Sequence, residues 1–193
     1  VKIYLVAFVV IIGLMLGSCG RSPDSQFYVL NPIAPQYKMI KSYTHLRIGI
    51  NEIHGPAYMN KPQLTIHCSA QEVKLEEYHR WVENLNQNTQ NVIEANLATL
   101  LPGAAFVTAP WDINFKPRYQ LQIDILQFAV DIRGNSRLRA EYLIYSNEQV
   151  KKKGLLSYHL KTSPPTVANL VASMNTNLNQ LTRDLAKVLA SLK

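Results

Sequence analysis

The chain has 193 residues, enough for one domain with its own core, and a formal net charge of +7 from 20 basic and 13 acidic residues. So few carboxylates disfavour a hydrolase of the two-carboxylate type. The cations are scattered apart from Lys151-Lys152-Lys153, which gives no reason to expect a nucleic-acid partner.

Residues 1–18 read VKIYLVAFVVIIGLMLGS: one cation, Lys2, then an apolar run from Ile3 to Leu16 broken only by Gly13. The run falls short of the ~20 residues that span a bilayer, so it reads as an export signal. Its end, Leu16-Gly17-Ser18-Cys19, resembles the bacterial lipobox. There the cysteine sulfur takes diacylglycerol in a thioether, and small residues fit the peptidase before it. An ordinary signal with a coincidental cysteine and an unprocessed signal anchor are the competing readings. The lipobox reading makes Cys19 the lipid-attachment site and the membrane a partner through that lipid. Three acyl chains suffice for permanent attachment, since a single chain holds only reversibly. Residue 20 is Gly rather than Asp, which by analogy sends the protein to the outer membrane with its body in the periplasm. The expected organisation is a signal peptide over 1–18, a lipidated polar tether over 19–26 and one domain over 27–193.

Phe27-Tyr28-Val29-Leu30 predicts a first strand ended by Asn31-Pro32, followed by a loop to residue 44. Leu46, Ile48 and Ile50 give a second strand, stopped by His54-Gly55-Pro56. A connector, 57–63, leads to a strand over 64–68 containing Cys68, the cysteine left over once Cys19 is lipidated; a buried, inert thiol is expected there. The charges of residues 73–79 suggest an edge strand ending at Arg80-Trp81. From Asn84 the period becomes helical. Leu85, Val92, Ile93, Leu97, Leu100 and Leu101 share a face, Pro102-Gly103 stops the helix, and Asn86, Gln87, Asn88, Gln90 and Asn91 make an amide face expected to meet solvent.

After a loop around Trp111, Tyr119, Leu121, Ile123 and Ile125 alternate before the apolar phase shifts to Leu126, Phe128, Val130 and Ile132. This predicts a bulge near Ile125. Arg133-Gly134-Asn135-Ser136 predicts a hairpin to a strand with Leu138, Ala140, Tyr142 and Ile144 inward. Lys151–Lys153 falls in an expected turn before a third strand near 154–161. Ser163 or Thr166 caps a last helix, whose apolar stripe runs from Val167 to Leu192 and is expected to pack on its own sheet rather than in a coiled coil.

The sequence contains no G-x-S-x-G, H-E-x-x-H or C-x-x-C motif and no phosphate loop. No histidine pair has metal-ligand spacing, so no enzyme, cofactor or metal is expected. Trp and Arg dominate binding hot spots, which makes Arg80-Trp81 a candidate contact; Trp81 closing the core is the alternative.

Several segments together resemble a known family. Tyr58-Met59-Asn60-Lys61-Pro62-Gln63-Leu64 is similar to its Tyr-Leu-x-Arg-Pro-Gln segment, with Lys61 where Arg is commoner. Arg80-Trp81-Val82-Glu83-Asn84-Leu85 resembles its Arg-Trp-x-Glu-x-Leu, with Asn84 for a frequent Pro; Val92 to Ala98 and Leu121 to Phe128 also fit. The family is the PqiC/YmbA-like lipoproteins, the ABC-type transport auxiliary lipoprotein component. The resemblance implies one α/β domain, a mixed, largely antiparallel sheet packed with two main helices. It also implies an auxiliary role beside a mammalian-cell-entry (MCE) domain transporter that moves lipids across the envelope, and a homo-oligomer, since some members form rings. Tyr58, Lys61, Pro62, Gln63, Arg80 and Trp81 are the candidate partner-binding residues, because the resemblance is densest there and both segments sit at strand ends. A lipid carrier holding an acyl chain between sheet and helix, and a structural envelope-assembly lipoprotein, are the alternatives.

Overall fold

The structure, a computed structural model, describes residues 22–35 and 41–192. The export signal and Cys19 lie outside the described residues. Among the described residues eight strands form one sheet: β1 (Gln26–Tyr28), β2 (Arg47–Ile50), β3 (Gln63–His67), β4 (Val73–Trp81), β5 (Ala105–Thr108), β6 (Tyr119–Asp131), β7 (Asn135–Ser146) and β8 (Gln149–Lys161). Two helices join them, α1 (Leu85–Leu100) and α2 (Val167–Ala190), with a 3-10 turn at Ala57–Asn60. This is the expected single α/β domain.

β6 organises the sheet. One edge pairs along its length with β7, antiparallel, and β7 pairs likewise with β8. The other edge is shared by two parallel partners: β2 lies beside Tyr119–Leu121 and β3 beside Val130–Asp131. β5 extends the β2 arm in parallel. β4 extends the β3 arm antiparallel, and β1 joins β4 in parallel. The bulge predicted near Ile125 is present, as a register shift between Ile125 and Gln127. It turns Leu126 outward, 43% exposed, and restores Phe128 and Val130 to the core.

The core is one cluster between this sheet and the helices. Leu170, Met174, Leu178, Leu181, Leu185 and Leu189 of α2 meet Leu121, Phe128, Leu138, Ala140 and Ile144 of β6 and β7. Leu85, Val92, Ile93 and Leu97 of α1 complete it. Each such fully buried side chain contributes about 1.5–3 kcal/mol. At ~1.5 Å per residue, the 24 residues of α2 run about 36 Å along its own sheet, as expected. Among the described residues no helix is long and apolar enough to cross a membrane.

Four local expectations need correction. Lys151–Lys153 is strand, not turn: the turn is Asn147-Glu148, both at positive φ, a two-residue hairpin geometry without the glycine that usually announces it. The strand alternation then sends Lys152 to the helix side, where its Nζ donates to Ser191 Oγ (2.6 Å) at the C-terminal end of α2, favourable to the helix dipole. β5 has no counterpart in the predicted elements; its four residues are all half-buried and show no alternation. Cys68 lies just past β3 and is half-buried, so it lines the surface rather than the core. The amide face of α1 is not simply solvated, for Asn88 is 4% exposed.

Candidate interaction site

The six candidate partner-binding residues fall at one corner of the sheet, where β3 begins and β4 ends. The 3-10 turn enters this corner and is closed by Lys61, whose N–H donates to the Tyr58 carbonyl (3.2 Å). Trp81 N–H donates to the Pro62 carbonyl (2.8 Å), and Gln63 lies opposite Arg80. Tyr58, Lys61, Pro62 and Gln63 are therefore brought to Arg80 and Trp81.

Their burial divides them. Trp81 is 6% exposed and packs with Leu64, Leu85, Phe128 and Met174, so of the two readings left open for it the structure supports the core one. Tyr58 is half-buried and structural. Its hydroxyl accepts the Phe128 N–H (3.0 Å), just past the bulge, on the edge of β6 away from β7, where β3 pairs only with Val130 and Asp131. Its ring stands edge-on to His67 at 6.0 Å. Burial raises the Tyr58 pKa, and the Phe128 hydrogen bond opposes that shift in part. Lys61 and Pro62 are exposed; Gln63 and Arg80 are half-buried. The Arg80 Nε is buried without a hydrogen-bond partner among the described residues. What the corner offers a partner is one free ammonium, a proline and a partly covered guanidinium. None of these groups makes a nucleophile–base pair.

Beside the corner lies an open hollow of about 510 Å³ lined by Glu52, His54, Gly55, Asn60, Asn84 and Gln87. Asn60 Oδ1 ties it together by accepting from Asn84 Nδ2 (3.2 Å) and Asn86 Nδ2 (2.7 Å). A Cβ on Gly55 would come within 2.6 Å of Asn86 Oδ1 and Met59 Sδ, so a larger residue here would have to displace both side chains.

A second hollow, about 370 Å³, opens beside the ends of β3 and β6. Asp131 anchors it, accepting backbone N–H groups of Arg133 and Asn135 (both 2.9 Å) and the Asn135 side chain, with Arg137 at 3.7 Å. Burial of the Asp131 carboxyl works against ionisation, but these donors, Asn135 first, outweigh it and hold the pKa below the usual carboxylate range. The predicted turn at 133–136 pointed to this place, but nothing in the sequence marked it as a hollow.

Asparagines do a third task the sequence reading missed. The segment Leu30–Ile33 has no strand partner among the described residues, and three side chains stand in for one. Asn88 Oδ1 accepts the Leu30 N–H (2.7 Å) while its Nδ2 donates to the Leu30 carbonyl (3.3 Å). Asn175 accepts from Asn31 N–H and Asn96 from Ile33 N–H. An asparagine carries both halves of a peptide's hydrogen-bonding capacity, which suits it to this use.

The model of the family described as ABC-type transport auxiliary lipoprotein component matches residues 28–186. The chain belongs to this family. An ABC-type transport auxiliary lipoprotein is a transport component, and its family is not one of enzymes. Two solved structures share its fold. One, a crystal structure of an uncharacterized protein, aligns over 86% of this chain and 99% of its own at 17% identity and TM-score 0.71. The other, protein XCC0632 from Xanthomonas campestris, of family DUF330, aligns over 84% and 93% at 15% identity and TM-score 0.67. No curated protein matches the chain by sequence.

Proposed function

We propose that this auxiliary lipoprotein is processed before Cys19, anchored by lipid in the outer membrane with its domain in the periplasm, and docked as a homo-oligomer on an MCE-domain lipid transporter. The family match over residues 28–186 carries the reading. The packing supports a docking role over a carrier role. The void beneath Trp81 measures about 10 Å³, at the lower limit for one water and far below an acyl chain. The larger hollows are open and rimmed by polar side chains.

The exposed corner at Lys61-Pro62, with Gln63 and Arg80 behind it, is the proposed contact. A pull-down from crosslinked envelopes of cells that express an MCE-domain protein tests this. Wild type should recover that protein. Lys61→Glu should recover less, with stability within ~0.5 kcal/mol of wild type, as for a surface change. Recovery of none by wild type defeats the transport reading. Cys19→Ser should lose incorporation of labelled fatty acid, and unchanged labelling would defeat the anchor.

A further inference from the structure

Three exposed apolar side chains come together where the chain enters the domain. Phe27 is 61% exposed, Val82 64% and Val29 40%. Phe27 is in β1, Val29 just past it and Val82 just past β4; the parallel register of these strands sets Phe27 beside Arg80 and Tyr28 beside Trp81. The pairing continues one step further, since Val82 N–H donates to the Tyr28 carbonyl (2.9 Å). Alternation along the strands turns Tyr28 and Trp81 to the core side and places Phe27, Val29, Arg80 and Val82 on the opposite face. Isolated apolar side chains on a surface are ordinary, but three from two segments sharing one face of a sheet end are a patch.

The position of Cys19 identifies what the patch meets. Six residues separate Cys19 from Gln26. At ~3.3–3.6 Å per residue, that chain holds β1 within about 25 Å of the lipidated sulfur even when fully extended. Such a tether, shorter than the ~36 Å length of α2, keeps the β1 end of the domain within reach of the bilayer. β1 is the element next to the tether, so its corner is the one held at the lipid surface.

We propose that Phe27, Val29 and Val82 seat the β1 side of this corner in the phospholipid interface of the membrane that holds the anchor, while Lys61 and Pro62, on its β3 side, stay open to the proposed partner. The inference rests on the lipid-anchored reading of Cys19. The charge around the patch is mixed: Lys61 and Arg80 are offset by the exposed Asp24 and Glu83. Apolar contact rather than charge therefore holds the corner, and the contact is insensitive to salt. It also fixes the orientation of the domain. β5 and the loop that follows it, at the other end of the strand order from β1, are left as the membrane-distal end.

The test uses the lipidated protein, extracted from membranes and reconstituted into phosphatidylethanolamine–phosphatidylglycerol vesicles containing a brominated lipid. An environment-sensitive fluorophore is attached to Phe27→Cys or Val82→Cys, each in a Cys68→Ser background. Ile113→Cys, 89% exposed in the loop after β5, is the control. The fluorophores at 27 and 82 should be blue-shifted and quenched several-fold more strongly than the one at 113, in low and high salt alike. Protein that floats with the vesicles but shows equal quenching at all three positions overturns the seating while leaving the anchor intact. A blue shift without quenching overturns it in favour of a protein contact. Failure to float overturns the anchor itself, and the seating with it.

Discussion

Trp81 and Lys61 occupy the same corner yet answer to different experiments. Trp81 fills core volume, so Trp81→Ala should cost ~3–5 kcal/mol in urea denaturation and much of the fold, and any loss of binding in that variant reports unfolding. Asn88→Ala removes no such volume but strands both polar groups of Leu30. At ~1–3 kcal/mol per buried unsatisfied group, it should destabilise nearly as much as a small core truncation, and proteolysis should begin in the freed segment around Leu30–Ile33. Asp131 makes a pH prediction. Its folded pKa is depressed, so its stabilising contribution is complete above the unfolded value of ~3.9 and drains away as pH falls through the folded value. Asp131→Asn should therefore be less stable than wild type at pH 5 to 7, and the difference should shrink once the pH drops below about 4. A gap of constant size across that range would show that the carboxylate's charge is not what holds the 131–135 turn.

At the level of elements, what was legible followed from periodicity long enough to average out exceptions. α1 and α2 announce themselves by sustained 3.6-residue stripes with polar caps; Asn84 accepts from the backbone of Asn86 (2.9 Å) and Gln87 (3.4 Å), and Thr166 caps α2. The bulge in β6 was readable because the apolar phase visibly changes at Ile125-Leu126. β5 was not, since four half-buried residues give no phase, and its place beside β2 is a long-range choice. The Lys151–Lys153 run misled because charge resembles a turn, while the true turn uses Asn147-Glu148 at positive φ without a glycine. The corner's six residues were legible as a group through resemblance. Their division into exposed and buried was not, because it depends on a bulge that sends Gln63 to Arg80 while Leu64 pairs with Glu76. The cap gives a clean test of this level. Asn84→Ala should cost ~1 kcal/mol, and because Asn84 also bonds Asn60, the loss should be accompanied by loosening of the 57–60 turn in hydrogen exchange.

On the scale of the molecule, the sheet ends asymmetrically, and the asymmetry bears on assembly. β8 is 13 residues long and pairs only with β7, so one whole edge is free among the described residues. At the far end of the order, β1 covers only Gln26–Tyr28's length of β4, leaving Val73–Tyr78 with one partner, β3. Two unlike free edges on one subunit favour head-to-tail contact, which closes into rings when the rotation per subunit permits. Lys151, Lys153 and Lys161 guard β8 as edge lysines commonly do, yet Val150, Leu155 and Leu160 are 49%, 51% and 37% exposed along the same strand. An edge meant only to repel would not carry them. Leu155→Lys with Leu160→Lys should leave the monomer's melting behaviour within the range of ordinary surface changes, ~0.5 kcal/mol, because neither side chain is in the core. If the homo-oligomer uses this edge, light scattering should show the double variant reduced to monomer at concentrations where wild type is assembled. Its recovery of the MCE-domain protein from crosslinked envelopes should fall with it. An oligomer of unchanged mass would remove β8 from the interface and leave the shorter β4 edge and the Lys61 corner to account for assembly and docking.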